Sequence, residues 1–384
     1  MNNLNVIFLG TGSSFGYSFS ATNTKTEFMA RGLVEQGACV TIINSIVGCS
    51  CVERRSVLHY ANVGDVISYP KKGNQLISWL GNLSSWKKDL KNLYKQNQKN
   101  IVILEAPDYH IYRIYCFYAH KYGYKIAVIS HEWLPTIKST HPLRKPSTYL
   151  YTKNFGYLAD GILPISEYII KKIKKFNKPY LKVPVLAEFK RIKEKNNSSN
   201  YFVYCVYAAY TRVIIPLVDA FVSYKKSEKN NQILILILAG SDSQVQVIVD
   251  HIERIKGGDF VKVKRKISYS ELISLYENAL GLIIPMDPNS EQDHARFSQK
   301  IAEYTSAATP IITCQVGEVD FYFKDKDSAF FCNYNPQGFI DAFKWISAYP
   351  ELSREIGKNG YNVGLKFFNY KTVGKHLAEF LFSL

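Results

Sequence analysis
The stretch Tyr269–Glu318, YSELISLYENALGLIIPMDPNSEQDHARFSQKIAEYTSAATPIITCQVGE, decides the fold class. Leu272, Ile273, Leu275, Tyr276 and Ala279 recur at helical spacing, and the apolar run Gly281–Pro285 then has the length of a strand buried on both faces. A polar loop follows, a helix opens near Ser298, and after Thr309-Pro310 a second buried strand spans Ile311–Thr313. Strand, polar loop, helix start, strand is how an α/β sheet holds an anion. The first helical turn, at Ser298 and Gln299, offers unpaired N–H groups and the positive end of the helix dipole. Lys300 adds a point charge, and Glu303, one turn further in, accepts two hydrogen bonds from a ribose diol. The combination suits a nucleoside diphosphate.

Working outward, the whole chain reads as two α/β halves. Its 384 residues suffice for two domains with their own cores. No apolar run reaches the roughly eighteen residues of a membrane span, and the N-terminus enters a strand directly, without the basic start of a signal peptide. Seven cysteines, an odd number in a large α/β chain, point to a reducing, cytoplasmic setting. Cys49-x-Cys51 lacks the spacing of a metal site. The net charge of +16 is unevenly placed: residues 1–200 hold 28 Lys+Arg against 12 Asp+Glu, and residues 201–384 hold 20 against 20. A basic N-terminal half calls for an anionic partner, such as a membrane surface or a lipid phosphate. A nucleic-acid partner is not expected, because no compact motif interleaves aromatic and basic residues.

In the first half, Asn5–Leu9 is a short strand running into the glycine-rich turn Gly10–Gly16, with Gly12 and Gly16 as candidates for close backbone approach to a ligand. A helix over about Ser20–Gln36, capped by Gly37, leads to the strand Ala38–Asn44. The stretch Gln75–Tyr94 places Leu76, Trp79, Leu80, Leu83, Trp86, Leu90 and Leu93 on one helical stripe, with Lys87, Lys88, Lys91 and Lys95 toward its end; it reads either as an interfacial membrane helix or as an ordinary helix packed on a sheet. Ile101–Leu104 and Lys125–Ser130 are further strands, the second ending in His131. Ligands of open α/β sheets gather beyond such strand ends, although a lone histidine is more often structural. Prolines 179 and 184 and the polar run Lys193–Asn200 mark the linker. In the second half, Tyr201–Val206 and Ile233–Ala239 are strands, with Arg212 in the loop after the first and Gly240 in the turn after the second. Asp259–Val263 is an edge strand followed by Lys264, Arg265 and Lys266. Asp325-x-Asp327 lies in a lysine-flanked polar turn and reads as surface rather than metal site.

The segments Ser298–Tyr304 and Thr309–Thr313 resemble the donor-site signature of retaining GT-B glycosyltransferases of the group 1, family 4-like type. That family shows Glu, seven residues, Glu, then a small-residue turn and a Pro-led strand. Glu303 matches the second glutamate, which binds the nucleotide ribose. The first falls on Ala295, a departure that leaves Glu291 or Asp293 to substitute or donor-sugar recognition to differ. The resemblance implies two Rossmann-like domains facing across a cleft: an acceptor-side domain over 1–190, a nucleotide-sugar domain over 191–365, and a helix over 366–384 crossing back to the first. It also implies that His131 contacts the donor sugar and that Arg212, in place of the family's lysine, stands with Lys300 at the leaving diphosphate as catalytic groups. The glycine-arginine pair of that loop is absent, Val206-Tyr207 standing there. Gly240 and Arg265 join Ser298, Gln299, Glu303, Gly12 and Gly16 as nucleotide-sugar contacts, although the cations at 264–266 also read as solvated. The expected function is metal-independent transfer of a hexose-type sugar from a UDP- or GDP-sugar, with no cofactor, to a glycan or polyprenyl-diphosphate-linked acceptor in cell-surface polysaccharide assembly. The enzyme would then be cytoplasmic, on the inner face of a membrane. Two other readings stay open: a GT-B scaffold with impaired catalysis that binds a partner, motivated by Ala295, and a nucleotide-sugar epimerase.

Overall fold
The computed structural model describes residues 3–10, 15–17, 20–106, 108–137, 144–192, 200–228 and 230–384. The chain divides into two compact units. The first comprises Met1–Ala187, Ala295–Gln299 and Phe367–Leu384, and the second Glu188–His294 and Lys300–Lys366. The five-residue segment Ala295–Gln299 belongs with the first unit, which a linear division at 190 and 365 does not anticipate.

The first unit is built on β1 (Leu4–Leu9), β2 (Cys39–Cys49), β3 (Ser56–Tyr60), β4 (Gly64–Pro70), β5 (Lys99–Leu104), β6 (Lys125–Ser130) and β7 (Gly161–Pro164), in the order β3-β4-β2-β1-β5-β6-β7. All neighbours are parallel except β3, which pairs antiparallel to β4. The parallel strands therefore run 3-2-1-4-5-6 in chain order, and the chain reverses direction across the sheet between β1 and β5. Val6 of β1 lies opposite Val40 and Ile101, and every residue of β1 is buried, the pattern of a central strand covered on both faces. The β3–β4 hairpin carries no apolar alternation strong enough to be read from the sequence.

The helix Ala21–Glu35 starts at Ser20, whose Oγ accepts from Asn23 N at 3.1 Å, and ends at Gly37 with φ +80°. Against it lies the C-terminal helix Tyr370–Ser383. The two approach at a glycine contact: a Cβ on Gly374 would stand 2.5 Å from the Gly32 Cα, so neither position admits a side chain. Phe28, Leu33, Leu377 and Leu381 complete the core under this face of the sheet.

The stretch Gln75–Tyr94 forms two helices, Gln75–Gly81 and Leu83–Asn92, instead of one. Asn82 makes the break, its Nδ2 donating to the carbonyls of Ser78 (2.9 Å) and Pro70 (3.0 Å). Trp79, Trp86 and Leu90 are buried, Trp79 Nε1 donating to Tyr115 Oη at 2.9 Å and Trp86 meeting the Tyr115 ring edge-on at 4.9 Å. The tryptophans of the stripe are thus core residues of a helix packed on a sheet, while Leu76, Ile77 and Leu80 are exposed. No described helix is long and apolar enough to cross a membrane.

The second unit carries β8 (Tyr201–Tyr207), β9 (Ile233–Ala239), β10 (Val261–Lys264), β11 (Gly281–Ile284), β12 (Ile311–Thr313) and β13 (Phe330–Phe331), ordered β10-β9-β8-β11-β12-β13 and parallel throughout. This is again 3-2-1-4-5-6, with the reversal between β8 and β11. Phe202, Phe221 and Phe343 pack edge to face at 4.9–6.1 Å to form the aromatic centre of its core.

Candidate active site
In an open parallel sheet the carboxyl ends of the strands at the reversal point form a crevice where ligands bind. In the first unit that crevice is a cavity of about 530 Å³, within the range of small-molecule sites. It lies past the ends of β5, β6 and β7 and is closed by the start of the helix Ala21–Glu35 and by Arg296–Gln299. His131, immediately after β6, lines it, as do Ser298 and Gln299.

Sequence reasoning did not single out the other polar groups here. Glu105 follows β5, and its Oε2 stands 3.7 Å from His131 Nε2. Both atoms are buried and, among the described residues, have no hydrogen-bond partner. Gly10 lets this arrangement form: with φ +81°, it carries β1 past β5 so closely that a Cβ would lie 2.6 Å from the Glu105 carbonyl. Lys25 is 3 % exposed and donates to the Val183 carbonyl at 2.8 Å. Burial lowers its pKa from 10.5 to about 7, with the Glu105 charge acting in the opposite sense. Arg296 and Glu132 stand at the same cavity. A signal for Glu105 was present in the sequence, since it follows an apolar strand as His131 does.

Gln299 and Ser166 fix the segment that closes the cavity. Gln299 is 8 % exposed, and its Nε2 donates to the Leu186 carbonyl. The fully buried Ser166 caps the helix Glu167–Ile173 and donates from Oγ to the Ala295 carbonyl at 2.6 Å. Ala295 is itself completely buried, so no carboxylate occupies that position. Gly16, with φ +82°, lines a separate cavity with Phe15 and Tyr60, and is not brought to His131. Gly12 lies outside the described residues.

In the second unit Arg212, Gly240 and Arg265 gather at the carboxyl edge of the sheet. Arg212 lies in the first turn of the helix Thr211–Ser227, with Nη1 3.7 Å from Oδ2 of Asp287, just past β11. Gly240 follows β9 at φ +134°, a conformation that suits glycine. Arg265 is not a solvated cation: Nη1 bonds Asp242 at 2.6 Å and Nη2 donates to the Gly240 carbonyl at 3.1 Å. It holds the turn at Gly240 and lowers the Asp242 pKa by hydrogen bonding. Asp293, a substitute weighed for the missing glutamate, is 3 % exposed, and its Oδ2 accepts from Asp287 N at 3.0 Å, so one oxygen is spent on folding the loop. Glu291 is exposed at the start of the short helix Glu291–Ala295.

Glu303 lies on the helix Gln299–Ser306, one turn after Lys300. It is 6 % exposed and receives no hydrogen bond from the described residues. Burial raises its pKa from 4.5 to about 7, and the Lys300 charge is what opposes the shift. A buried carboxylate without donors is costly unless a ligand supplies them. Among the described residues no three His, Cys, Asp or Glu side chains group to hold a metal ion. Asp325 accepts from Phe331 N at 2.8 Å and serves the turn.

Comparison with known proteins fits this geometry. Residues 187–363 match the family model described as glycosyl transferases group 1. No curated protein matches the chain. Among solved structures, sucrose-phosphate synthase from Thermosynechococcus elongatus superposes with a TM-score of 0.74 at 13 % identity, covering 98 % of each chain. HepE from Anabaena, solved in complex with UDP-glucose, gives 0.71 at 12 % identity over 100 % of each chain. A glycosyltransferase from Rickettsia africae gives 0.71 at 13 % identity, over 99 % of this chain and 98 % of its own. The two doubly wound sheets have the GT-B fold, and residues 187–363 are similar to the group 1 glycosyl transferases.

Proposed function
We propose that the chain is a retaining glycosyltransferase that moves a hexose from a UDP- or GDP-sugar, without a metal ion, to a hydroxyl of a glycan or polyprenyl-diphosphate-linked acceptor in cell-surface polysaccharide assembly. The observation that carries the reading is Glu303: a buried carboxylate, one helical turn from Lys300, that awaits hydrogen-bond donors. The adjacent hydroxyls of a ribose supply two. The group 1 match that spans it supports a nucleotide-sugar donor, and the Anabaena protein solved with UDP-glucose favours UDP.

In this reading the sugar C1–O bond to the diphosphate breaks while the acceptor oxygen bonds to C1 and its hydroxyl proton passes to the departing diphosphate oxygen. Negative charge grows on the departing diphosphate. Arg212, whose planar guanidinium suits phosphate oxygens, and Lys300 stabilise it. Gly240, with its turn held by Arg265, keeps backbone close to the nucleotide. In the first unit His131 faces the sugar. The basic excess of the N-terminal half supports an acceptor at an anionic, cytoplasmic membrane face. A second reading, a scaffold that binds donor without turning it over, is favoured by the buried Ala295.

Titration calorimetry and thermal melting with UDP, GDP, ADP and CMP, on the wild type and Glu303→Ala, test the donor site. One nucleoside diphosphate at a hundred times its dissociation constant stabilises the wild type by about 2.7 kcal/mol and leaves the variant unmoved. Equal stabilisation of both proteins contradicts the role given to Glu303.

A further inference from the structure
We propose that the outer face of the helices Gln75–Gly81, Leu83–Asn92, Tyr109–Lys121 and Lys145–Leu158 is a docking surface for an anionic lipid bilayer. The inference rests on the membrane-acceptor reading above and names the surface that this reading leaves open.

The four helices form one layer on the sheet of the first unit. Trp86 meets the rings of Tyr115 and Tyr118 edge-on at 4.9 and 5.9 Å, and Tyr112 donates to the Phe155 carbonyl at 2.6 Å. A helix packed on a sheet ordinarily turns apolar residues inward and mixed charges outward. Here the outer side of Gln75–Gly81 is Leu76, Ile77 and Leu80, each more than half exposed, while Ser78 and Trp79 fill its inner side. Phe117, Tyr149 and Tyr157 are 58–64 % exposed on the neighbouring helices. The charges among them have one sign. Leu83–Asn92 carries three lysines, and Tyr109–Lys121 and Lys145–Leu158 carry two Lys or Arg each; all but Lys87 are exposed. The single acid on these helices, Asp89, is buried and accepts from Arg55 and from Tyr69 Oη.

The other face of the same sheet is the internal comparison. The β1–β2 and β5–β6 crossovers run in opposite directions, so right-handed connections place their helices on opposite faces. There Ala21–Glu35 and Tyr370–Ser383 carry three acids among four Lys or Arg, and they expose one large apolar side chain, Phe382.

Charge and apolarity together choose the occupant. A second copy of the chain brings like charges face to face, and a nucleic acid offers no apolar layer for the aliphatic trio. A bilayer interface answers both: aliphatic and aromatic side chains enter the acyl boundary while lysines stay level with the phosphates. Lys121 and Lys153 stand 5.9 and 6.0 Å from the ring centres of Phe117 and Tyr149, so cation and ring share one surface. Tyr151, on the inner side of Lys145–Leu158, lines the cavity at His131. One helix thus joins the docking face to the crevice.

The test is co-sedimentation of the full chain with sucrose-loaded vesicles, of phosphatidylcholine alone or of equal parts phosphatidylcholine and phosphatidylglycerol. Donor and nucleotide are left out, so the result does not depend on whether the chain transfers sugar. The wild type should bind the anionic vesicles and not the neutral ones, and high salt should weaken the binding. Lys88→Glu with Lys91→Glu should weaken it about thirtyfold or more, and Leu76→Ser with Leu80→Ser about tenfold or more. Lys375→Glu, on the opposite face, should leave it unchanged. These side chains are exposed, so each variant should melt with the wild type; if the leucine pair melts low, Phe117→Ser with Tyr149→Ser takes its place with the same expected loss. Equal binding to both vesicles, no binding, or binding insensitive to both the lysine and the apolar pairs overturns the proposal. So does a DNA duplex bound as tightly as the anionic vesicles and indifferent to the apolar pair, or self-association that the apolar pair abolishes in a chain that binds no vesicle.

Discussion
Replacing Glu303 by glutamine separates a ligand-binding carboxylate from a structural one, because the two roles change stability in opposite directions. The carboxyl is buried, receives no hydrogen bond from the described residues, and has its pKa raised from 4.5 to about 7. Between those pH values the folded chain holds a proton that the unfolded chain has released. The contribution of this group is therefore fully present below pH 4.5, declines as pH rises, and is lost above about 7. At 1.36 kcal/mol per unit, ionisation of the buried carboxyl costs the fold about 3 kcal/mol at pH 8. Glutamine keeps the shape and never ionises. Glu303→Gln should match the wild type near pH 5 and exceed it at pH 8 by up to about 3 kcal/mol, a rise on the order of 6–12 °C in the melting temperature of a unit this size. Calorimetric melts at the two pH values read this directly. The same variant should lose its response to nucleoside diphosphate. A Glu303→Gln protein that melts below the wild type at pH 8 refutes the reasoning, since the carboxylate would then be making bonds that hold the fold together.

Other perturbations follow from the packing and the charges. Gly374→Val drives a side chain into Gly32 across the helix contact, where even a Cβ stands 2.5 Å from the opposing Cα, and should lower stability by about 1–3 kcal/mol or more; an unchanged melt contradicts the contact. Lys25 is the inverse of Glu303: its pKa is lowered from 10.5 to about 7, so the folded chain holds fewer protons in that range and wild-type stability rises with pH from 7 toward 10.5. Lys25→Met should abolish that rise, and persistence of the slope in the variant assigns it to another group. Arg212 has a side chain 54 % exposed, so Arg212→Ala should leave the melt unchanged while lowering kcat about 10²–10³-fold; a variant with full turnover removes Arg212 from the mechanism.

The strands were the most legible part of the sequence. Lys125–Ser130, Ile233–Ala239 and Ile311–Thr313 stand out because a strand buried on both faces is apolar almost throughout, and their alternation with helices implies parallel sheets, whereas the strand order came from the structure. The β3–β4 hairpin was hidden because β3 is an edge strand, with Val57 and Leu58 exposed and little burial to pattern its sequence. The break at Asn82 was hidden for another reason: helical periodicity continues through it, and only tertiary hydrogen bonds to Pro70 and within the preceding turn show where one helix ends. Glu303 was legible from its spacing after Lys300. Glu105 carried the same strand-end signal as His131, but Lys25 did not, since what marks it is its burial at the Val183 carbonyl, and two residues 158 positions apart carry no local sign of that. Arg265 looked like a surface cation because a loop of three basic residues gives no hint that one of them faces Asp242 and the Gly240 carbonyl.

The central claim, that this chain turns over a nucleotide sugar, is tested most directly by following nucleotide release. Purified wild type and Glu303→Ala are incubated with each common UDP- and GDP-sugar and a panel of sugar acceptors, and free nucleoside diphosphate and glycoside product are quantified by chromatography and mass. The account predicts that the wild type releases one nucleoside diphosphate in step with one glycoside, and that Glu303→Ala releases neither above background. Nucleotide that binds the wild type but is never released from any donor contradicts it, and leaves a GT-B scaffold that holds its ligand without transferring the sugar.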